Sequence, residues 1–335
     1  MSNSYSKILI IQTAFIGDVI LTTSLVEKLS QYYPEAKIDF LLRSGNQILV
    51  KGNPYINEVL VWNKKDKWRD AMRIIRLLRN RNYDLLINAQ RHFTTGFICF
   101  FSGAKFKIGF RTNPFSFDYD EKFPFKIARN STEHETDRLH QLISEITDAT
   151  PAMPKMYPGK EEEEKIVRLI EKPFITIHPG SVWTTKQLPV EKWNELVKTL
   201  KPELQIYLLG GPGEKALCEK IKIAATAKPI HNMAGELNLL ESAALMKYAK
   251  VNYVNDSAPL HICSAIDAPC IAVFCSTIPE FGFTPLSKHS KVVQIRDELY
   301  CRPCGTHGKS KCPEGHFRCG NNILVEDLIP PEFFL

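Results

Sequence analysis

The sequence predicts an α/β protein made of two doubly wound, Rossmann-like domains, and three observations carry that prediction. Short apolar, β-branched runs alternate with amphipathic stretches along the chain. The 335 residues exceed what one hydrophobic core serves, since cores stop growing near roughly 250–300 residues. A proline-bearing and then acidic stretch, TPAMPKMYPGKEEEE from Thr150 to Glu164, interrupts the alternation near the middle.

Taken in order, Lys7 to Ile11 reads as the first strand, Val19 to Tyr32 as a helix, and Ile38 to Leu42 as a second strand. Lys67 to Arg79 follows as a helix and Leu85 to Ile87 as a strand. Beyond the interruption come strands at Phe174 to Ile177, Gln205 to Leu209, Asn252 to Val254 and Cys270 to Phe274. Helices at Val190 to Leu200, Glu214 to Ala225 and Leu239 to Lys247 lie among them. Runs that are apolar from end to end suit parallel strands covered on both faces. Proline, glycine and a solvated acidic run favour a boundary near residue 155. We therefore expect domains over 1–155 and 156–320, with 321–335 as a tail.

Composition excludes several classes. With 44% hydrophobic and 24% charged residues the chain is ordinary globular material, and no stretch approaches the ~18–20 unbroken apolar residues of a membrane span. The net charge of +6 is unevenly placed, with 22 basic against 16 acidic residues through Lys155 and 21 of each beyond it. That asymmetry points to an anionic partner for the first half. Lys64 to Arg81 alone carries eight basic residues, with Trp68, Ala71, Met72, Ile75 and Leu78 at helical spacing. The pattern fits a helix with its apolar side on the sheet; a sharper reading rests its basic face on anionic lipid. The N-terminus shows no secretory leader pattern, so the nine cysteines read as reduced thiols of a cytoplasmic protein.

Four segments carry chemistry. Gln12 to Leu29 ends a strand and places Gly17 and Asp18 where a helix begins. Aspartate is a preferred N-cap, so Asp18 is either a cap or a carboxylate facing the crevice where open α/β sheets bind ligands. No G-x-G-x-x-G accompanies it, which leaves a nicotinamide-dinucleotide site unsupported. In Phe174 to Pro189 a strand turns at Pro179 and Gly180 and offers Ser181, Thr184, Thr185 and Lys186, which is either a set of donors and a charge suited to a phosphate group or a polar loop with an exposed lysine. In Tyr207 to Ala216 a strand ends in Gly210 and Gly211, and Glu214 can accept the hydroxyls of a ribose or serve the start of a helix. In Val251 to Pro269 a strand delivers Asn255, Asp256 and Ser257 to a helix whose first amides can face an anion, with His261 one turn in.

In this order and spacing the segments resemble glycosyltransferase family 9, the heptosyltransferases of lipopolysaccharide core assembly. Gly17-Asp18 looks like the family's opening motif, His178 to Ser181 with Lys186 and Pro189 like its H-P-G-S-x(4)-K-x-W-P loop, and Asp256 to His261 like its D-S-G-x-x-H. Asp84 to Phe110 is similar to a further strand and helix, and the match spans roughly residues 7 to 320. Ala258 stands where glycine is usual, Ser24 where proline is common, Leu188 where tryptophan is common and Asn88 where aspartate is frequent.

The resemblance implies a GT-B fold, two Rossmann-like domains facing a central cleft, with acceptor bound mainly by the first and nucleotide sugar mainly by the second. It implies inverting, metal-independent transfer of a heptose from ADP-heptose to an anionic glycolipid, at the cytoplasmic face of the inner membrane. Asp18 would be the general base, Ser181 and Lys186 would hold the diphosphate, Glu214 the ribose, and Asp256 with Ser257 the sugar and phosphate. His261 joins the donor set as a supporting residue, Met233 to Leu237 would line the base, and Gln90 and Arg91 are acceptor candidates.

The tail YCRPCGTHGKSKCPEGHFRCG spaces Cys301, Cys304, Cys312 and Cys319 as C-x2-C-x7-C-x6-C, a pattern for a structural zinc ion, the alternative being reduced thiols. Cys263, Cys270 and Cys275 read as core filler. Zinc and a basic first half would also suit a nucleic-acid-binding protein, but that reading leaves the four segments unexplained, so no nucleic acid is expected. A GT-B relative using another nucleotide sugar, or an epimerase, is the nearer rival.

Overall fold

The structure, a computed structural model, describes residues 4–224 and 228–330. Ala225, the last residue of the helix expected from Glu214, and residues 331–335 of the expected tail lie outside the described residues. The chain forms two compact units, one of Met1–Ile127 with Glu133–Tyr157, the other of Ala128–Thr132 with Pro158–Leu335.

The first unit runs β1 (Lys7–Ile11), α1 (Ile16–Tyr32), β2 (Lys37–Arg43), β3 (Ile56–Trp62), α2 (Lys67–Arg81), β4 (Leu85–Asn88), α3 (Phe93–Phe101), β5 (Phe106–Phe110), β6 (Glu121–Phe123) and α4 (Glu135–Gln141). Its six strands are all parallel in the order β3-β2-β1-β4-β5-β6. Leu9, Ile11, Leu41 and Leu86 pack with Ile74, Ile75 and Leu78 of α2 and the indole of Trp62. Helix α2 ends at Asn82, whose left-handed φ of 53° suits an asparagine better than a β-branched residue. Its buried side is Ala71, Ile74, Ile75 and Leu78. Trp68 and Met72, which the periodicity places on the core, are exposed instead.

The second unit contains α5 (Lys160–Ile166), β7 (Phe174–His178), α6 (Val190–Thr199), β8 (Gln205–Leu208), α7 (Lys215–Ala224), β9 (Ile230–Asn232), α8 (Leu239–Tyr248), β10 (Asn252–Asn255), α9 (Ala258–Ile266), β11 (Cys270–Phe274), β12 (Ser290–Gln294), α10 (Arg318–Asn321) and α11 (Val325–Leu328). Its sheet, β12-β11-β10-β7-β8-β9, is again parallel and repeats the doubly wound strand order of the first. Helix α8 opens on a capping box in which Asn238 Oδ1 accepts from the Glu241 amide at 3.0 Å and Glu241 Oε2 accepts from the Asn238 amide at 2.7 Å.

Two readings of the sequence change here. The acidic run is not a solvated linker: it forms α5, with Glu162 accepting from the Gly159 amide at 2.8 Å and Ile166 buried. The described part of the expected tail belongs to the second unit, where Ile323 and Leu328 enter the core and the Leu328 carbonyl accepts from the buried Tyr253 hydroxyl at 3.1 Å.

Candidate functional site

Open α/β sheets bind ligands beyond the carboxyl ends of their strands, where the strand order reverses. In the first unit that place lies between β1 and β4 and in the second between β7 and β10. Three of the four chemical segments leave those strands.

In the second unit Lys186 Nζ lies 2.7 Å from Asp256 Oδ2, both side chains largely withdrawn from solvent. Thr277 donates to the same carboxylate oxygen at 2.5 Å. The Lys186 charge is therefore fixed beside Ser257, which precedes α9 with extended backbone. Pro259 carries no amide hydrogen and the Leu260 amide donates to the Ser257 carbonyl at 3.0 Å, so the amides left to face an anion are those of Ser257 and Ala258, with the helix dipole adding to the attraction. Ala258 takes the first helical position and is not among the residues of positive φ, so the glycine usual there is not required by backbone conformation. His261 is buried one turn on, its ring 6.2 Å from that of Phe283. Ser181 is half-buried, and its hydroxyl accepts from the Trp183 amide at 3.4 Å.

Glu214 accepts from the Gly211 amide at 2.8 Å. Its carboxylate lies across Gly180 and Gly210: a Cβ built on Gly180 would stand 1.6 Å from Oε1, and one on Gly210 2.6 Å from Oε2. Two glycines thus make room for one carboxylate, bringing the second and third segments together. His178, at the end of β7, is buried so completely that its pKa falls to about 3 and the ring is neutral.

The sequence reading missed what holds this loop. Asn255 is fully buried; its amide donates to the carbonyls of Pro179 at 2.9 Å, His178 at 3.3 Å and Gly180 at 3.4 Å, while its Oδ1 accepts from the Leu188 amide at 3.0 Å. One side chain on β10 thereby fixes the whole β7 loop, and its only sequence signal is a polar residue ending an apolar strand just before Asp256. The cysteine-bearing tail supplies a second support. The Lys309 carbonyl accepts from the Thr185 amide at 3.1 Å and the Lys309 amide donates to Thr185 Oγ1 at 2.8 Å. Gly308 lies so close that a Cβ there would stand 3.2 Å from Lys186 Cγ.

The expected zinc site in the tail is not confirmed, and the thiols find partners of other kinds. Cys301 Sγ lies 3.9 Å from His316 Nε2, Cys304 Sγ faces the Cys301 carbonyl at 3.4 Å and Cys312 Sγ accepts from the Phe317 amide at 3.4 Å. Burial raises the pKa of Cys304 and lifts that of Cys319 to about 11, with the neighbouring thiols adding to both. Cys304 and Cys312 are engaged with backbone and Cys301 with the His316 ring, and among the described residues no group of three or more His, Cys, Asp or Glu side chains is placed to hold a metal ion. Cys263, Cys270 and Cys275 are buried, as core filler is.

In the first unit Asp18 is the third residue of α1, not its cap; the cap position is Phe15, which offers no side-chain bond. The carboxylate is half-buried. Arg91, leaving β4, lays its guanidinium 3.8 Å from the centre of the Phe125 ring, and Arg138 of α4 lies 5.8 Å from the same ring. Arg138 is 1% exposed and donates from Nε to Glu135 Oε2 at 2.8 Å. Burial drives the Glu135 carboxyl up to about 7; Arg138 and Arg91 oppose the rise, and the Asp18 charge adds to it. Asp18, Arg91, Glu135 and Arg138 thus form one electrostatic group. Gln90, the other acceptor candidate, is buried and its Oε1 accepts from Thr13 Oγ1 at 2.8 Å, tying the end of β1 to that of β4. No motif in the sequence marks Phe125, Glu135 or Arg138.

The sequence model of glycosyltransferase family 9 (heptosyltransferase) matches residues 71–314. The chain is 27% identical over 275 residues to lipopolysaccharide heptosyltransferase 3 of Escherichia coli K12, covering 78% of this chain and 80% of the relative. A solved glycosyl transferase family 9 structure from Veillonella parvula superposes with a TM-score of 0.83 at 20% identity, over 98% of this chain and 96% of the other. The E. coli ADP-heptose lps heptosyltransferase II superposes with a TM-score of 0.73 at 21% identity, over 96% and 100%.

Proposed function

The chain belongs to glycosyltransferase family 9, a glycosyltransferase of GT-B fold, and from that premise we propose that it transfers a heptose from ADP-heptose to an anionic glycolipid of the lipopolysaccharide core. Transfer inverts the anomeric carbon, needs no metal and takes place at the cytoplasmic face of the inner membrane. The relatives' names support the donor and the acceptor class.

The observation that carries the reading is the Lys186–Asp256 pair beside the start of α9. Lys186, the Ser181 hydroxyl and the Ser257 and Ala258 amides bind the diphosphate, with the Asp256 carboxylate toward the sugar and His261 supporting that helix. The carboxylate of Glu214, seated across its two glycines, accepts the ribose hydroxyls. In the other unit Asp18 takes the proton of the acceptor hydroxyl as its oxygen bonds to the anomeric carbon. The bond from that carbon to the diphosphate breaks with its electron pair going to ADP. A positioned base contributes roughly 10²–10⁴-fold, and each preorganised donor to the leaving anion on the order of 10²-fold. Arg91, its guanidinium held over the Phe125 ring, takes an anionic group of the acceptor. Because base and donor set belong to different units, transfer requires both to engage their substrates together.

The test is to incubate purified protein with ADP-heptose and a truncated core acceptor in EDTA, follow product by mass spectrometry and read its anomeric configuration by NMR. Inverted product that disappears in Asp18→Asn is expected. Transfer that survives that substitution overturns the base, dependence on a divalent cation overturns the metal-free step, and transfer only from another nucleotide sugar overturns the donor.

A further inference from the structure

The face formed by α2, α3 and the loop before β6 has the composition of a lipid-contacting surface. The rings of Phe93, Phe97 and Phe101 follow one another at helical spacing along α3, with Phe93–Phe97 centroids 6.5 Å apart and Phe97–Phe101 4.9 Å apart. Trp68 of α2 meets the first two edge-on, at 6.4 and 5.6 Å. Phe115 stands 5.0 Å from Phe93, and Phe117 5.9 Å from Phe115. This connected set is not interior: Trp68 is 51% exposed, Phe93 51% and Phe117 69%, with Met72 and Phe101 exposed beside them. Scattered exposed apolar residues need no explanation, but a contiguous aromatic patch does.

What covers it is indicated by the charge around it. At 100° per residue, Trp68, Met72, Arg76 and Arg79 fall in one stripe of α2, flanking its buried side. Among the described residues, Lys65, Lys67, Arg76 and Arg79 form no ion pair, so their charge is available to an anionic surface. Tryptophan and phenylalanine beside long cationic side chains suit the boundary between acyl chains and headgroups, where rings sit at headgroup depth and lysine and arginine reach phosphates. Among the described residues no helix is long and apolar enough to cross a membrane, so such contact would be peripheral. The patch is also continuous with the acceptor half-site: Phe93 opens α3 two residues after Arg91.

We propose that this aromatic and basic face of the first unit seats on the surface of a bilayer containing anionic lipid, and so delivers Arg91 and Asp18 to the headgroup of a glycolipid whose acyl chains stay in the membrane. The proposal rests on the acceptor class given above and deepens it.

Vesicle co-sedimentation tests it without donor or acceptor, using phosphatidylglycerol with phosphatidylethanolamine against pure phosphatidylcholine. Wild-type protein is expected on the anionic vesicles and not on the neutral ones. Arg76→Glu with Arg79→Glu is expected to weaken partition roughly 30-fold or more, since each basic residue near an anionic surface contributes about a fivefold factor. Trp68→Ser with Phe117→Ser is expected to weaken it comparably with circular dichroism unchanged. Both pairs should still glycosylate a short, water-soluble acceptor, which reads the proposed reaction separately from the membrane. Equal binding by wild type and variants overturns the proposal, as does absence of wild-type binding. A dimer in analytical ultracentrifugation that both variant pairs dissolve, with no vesicle binding by any form, assigns the face to a second copy of the chain and equally overturns it.

Discussion

Glu135 should make the stability of the first unit fall as pH rises from about 4.5 to about 7, and Glu135→Gln should remove that fall. In the folded chain burial holds the proton on Glu135 to about 7, against 4.5 for the free side chain. Within this window the folded state binds more protons than the unfolded one, so unfolding releases a proton and stability drops with increasing pH. The stabilisation relative to an ionised carboxylate is complete below 4.5 and lost above 7. At 1.36 kcal/mol per pKa unit, the rise from 4.5 to about 7 corresponds to about 3 kcal/mol. Glutamine keeps the shape and an oxygen for Arg138 Nε but has no proton to lose. Thermal melts of variant and wild type at closely spaced pH values isolate the effect, because other titrating groups cancel in the difference. The variant's melting temperature should gain about 6–12 °C on the wild type between pH 4.5 and pH 8, at about 2–4 °C per kcal/mol for a unit of this size. A difference that stays constant over that range would refute the buried, Asp18-coupled carboxyl.

Three further outcomes concern the donor half. Gly180→Ala puts a methyl group 1.6 Å from the present position of Glu214 Oε1, so the carboxylate must turn away; KM for the donor should rise about tenfold with the melting temperature little changed. Asn255→Leu strands the Leu188 amide and three loop carbonyls, which at about 1–3 kcal/mol per stranded group should cost at least about 3 kcal/mol in denaturant unfolding and weaken donor binding. Lys186→Met should lower kcat/KM roughly 100-fold, the scale of losing one preorganised donor, and a loss below about threefold would remove Lys186 from the diphosphate site.

The parts of this molecule that were legible in the sequence are those whose physics is local. Runs such as Lys7–Ile11 and Cys270–Phe274 are apolar because central parallel strands are covered on both faces, and they could be read directly. The outer strands were not read: Glu121–Phe123 and Ile230–Asn232 are three residues each, and Ser290–Gln294 is half-exposed, so a nearly solvated pattern hides them. Helix α3 was reached only through the family resemblance of Asp84 to Phe110, because FTTGFICFF is apolar almost all round, its exposed phenylalanines mimicking core. The residues proposed for the donor stood out in the sequence because their loops punctuate strands with glycine, proline and hydroxyl side chains. Asn255 and the Glu135–Arg138 pair were not, since what they do depends on partners dozens of residues away or on burial that no local pattern records.

The hydrogen bonds between Thr185 and Lys309 join positions 124 residues apart, and they decide how the gene for such a protein can be cut. A chain ending just past β12 would retain every strand of the second sheet, yet the residue next to Lys186 would lose its two main-chain partners. The stretch around Lys309 is therefore built into the loop proposed to hold the donor, and a shortened version, which also loses Ile323 and Leu328 from the core, would be expected to lose donor affinity and stability before it loses secondary structure. Comparing donor binding with far-ultraviolet circular dichroism in a series of C-terminal truncations would read that order.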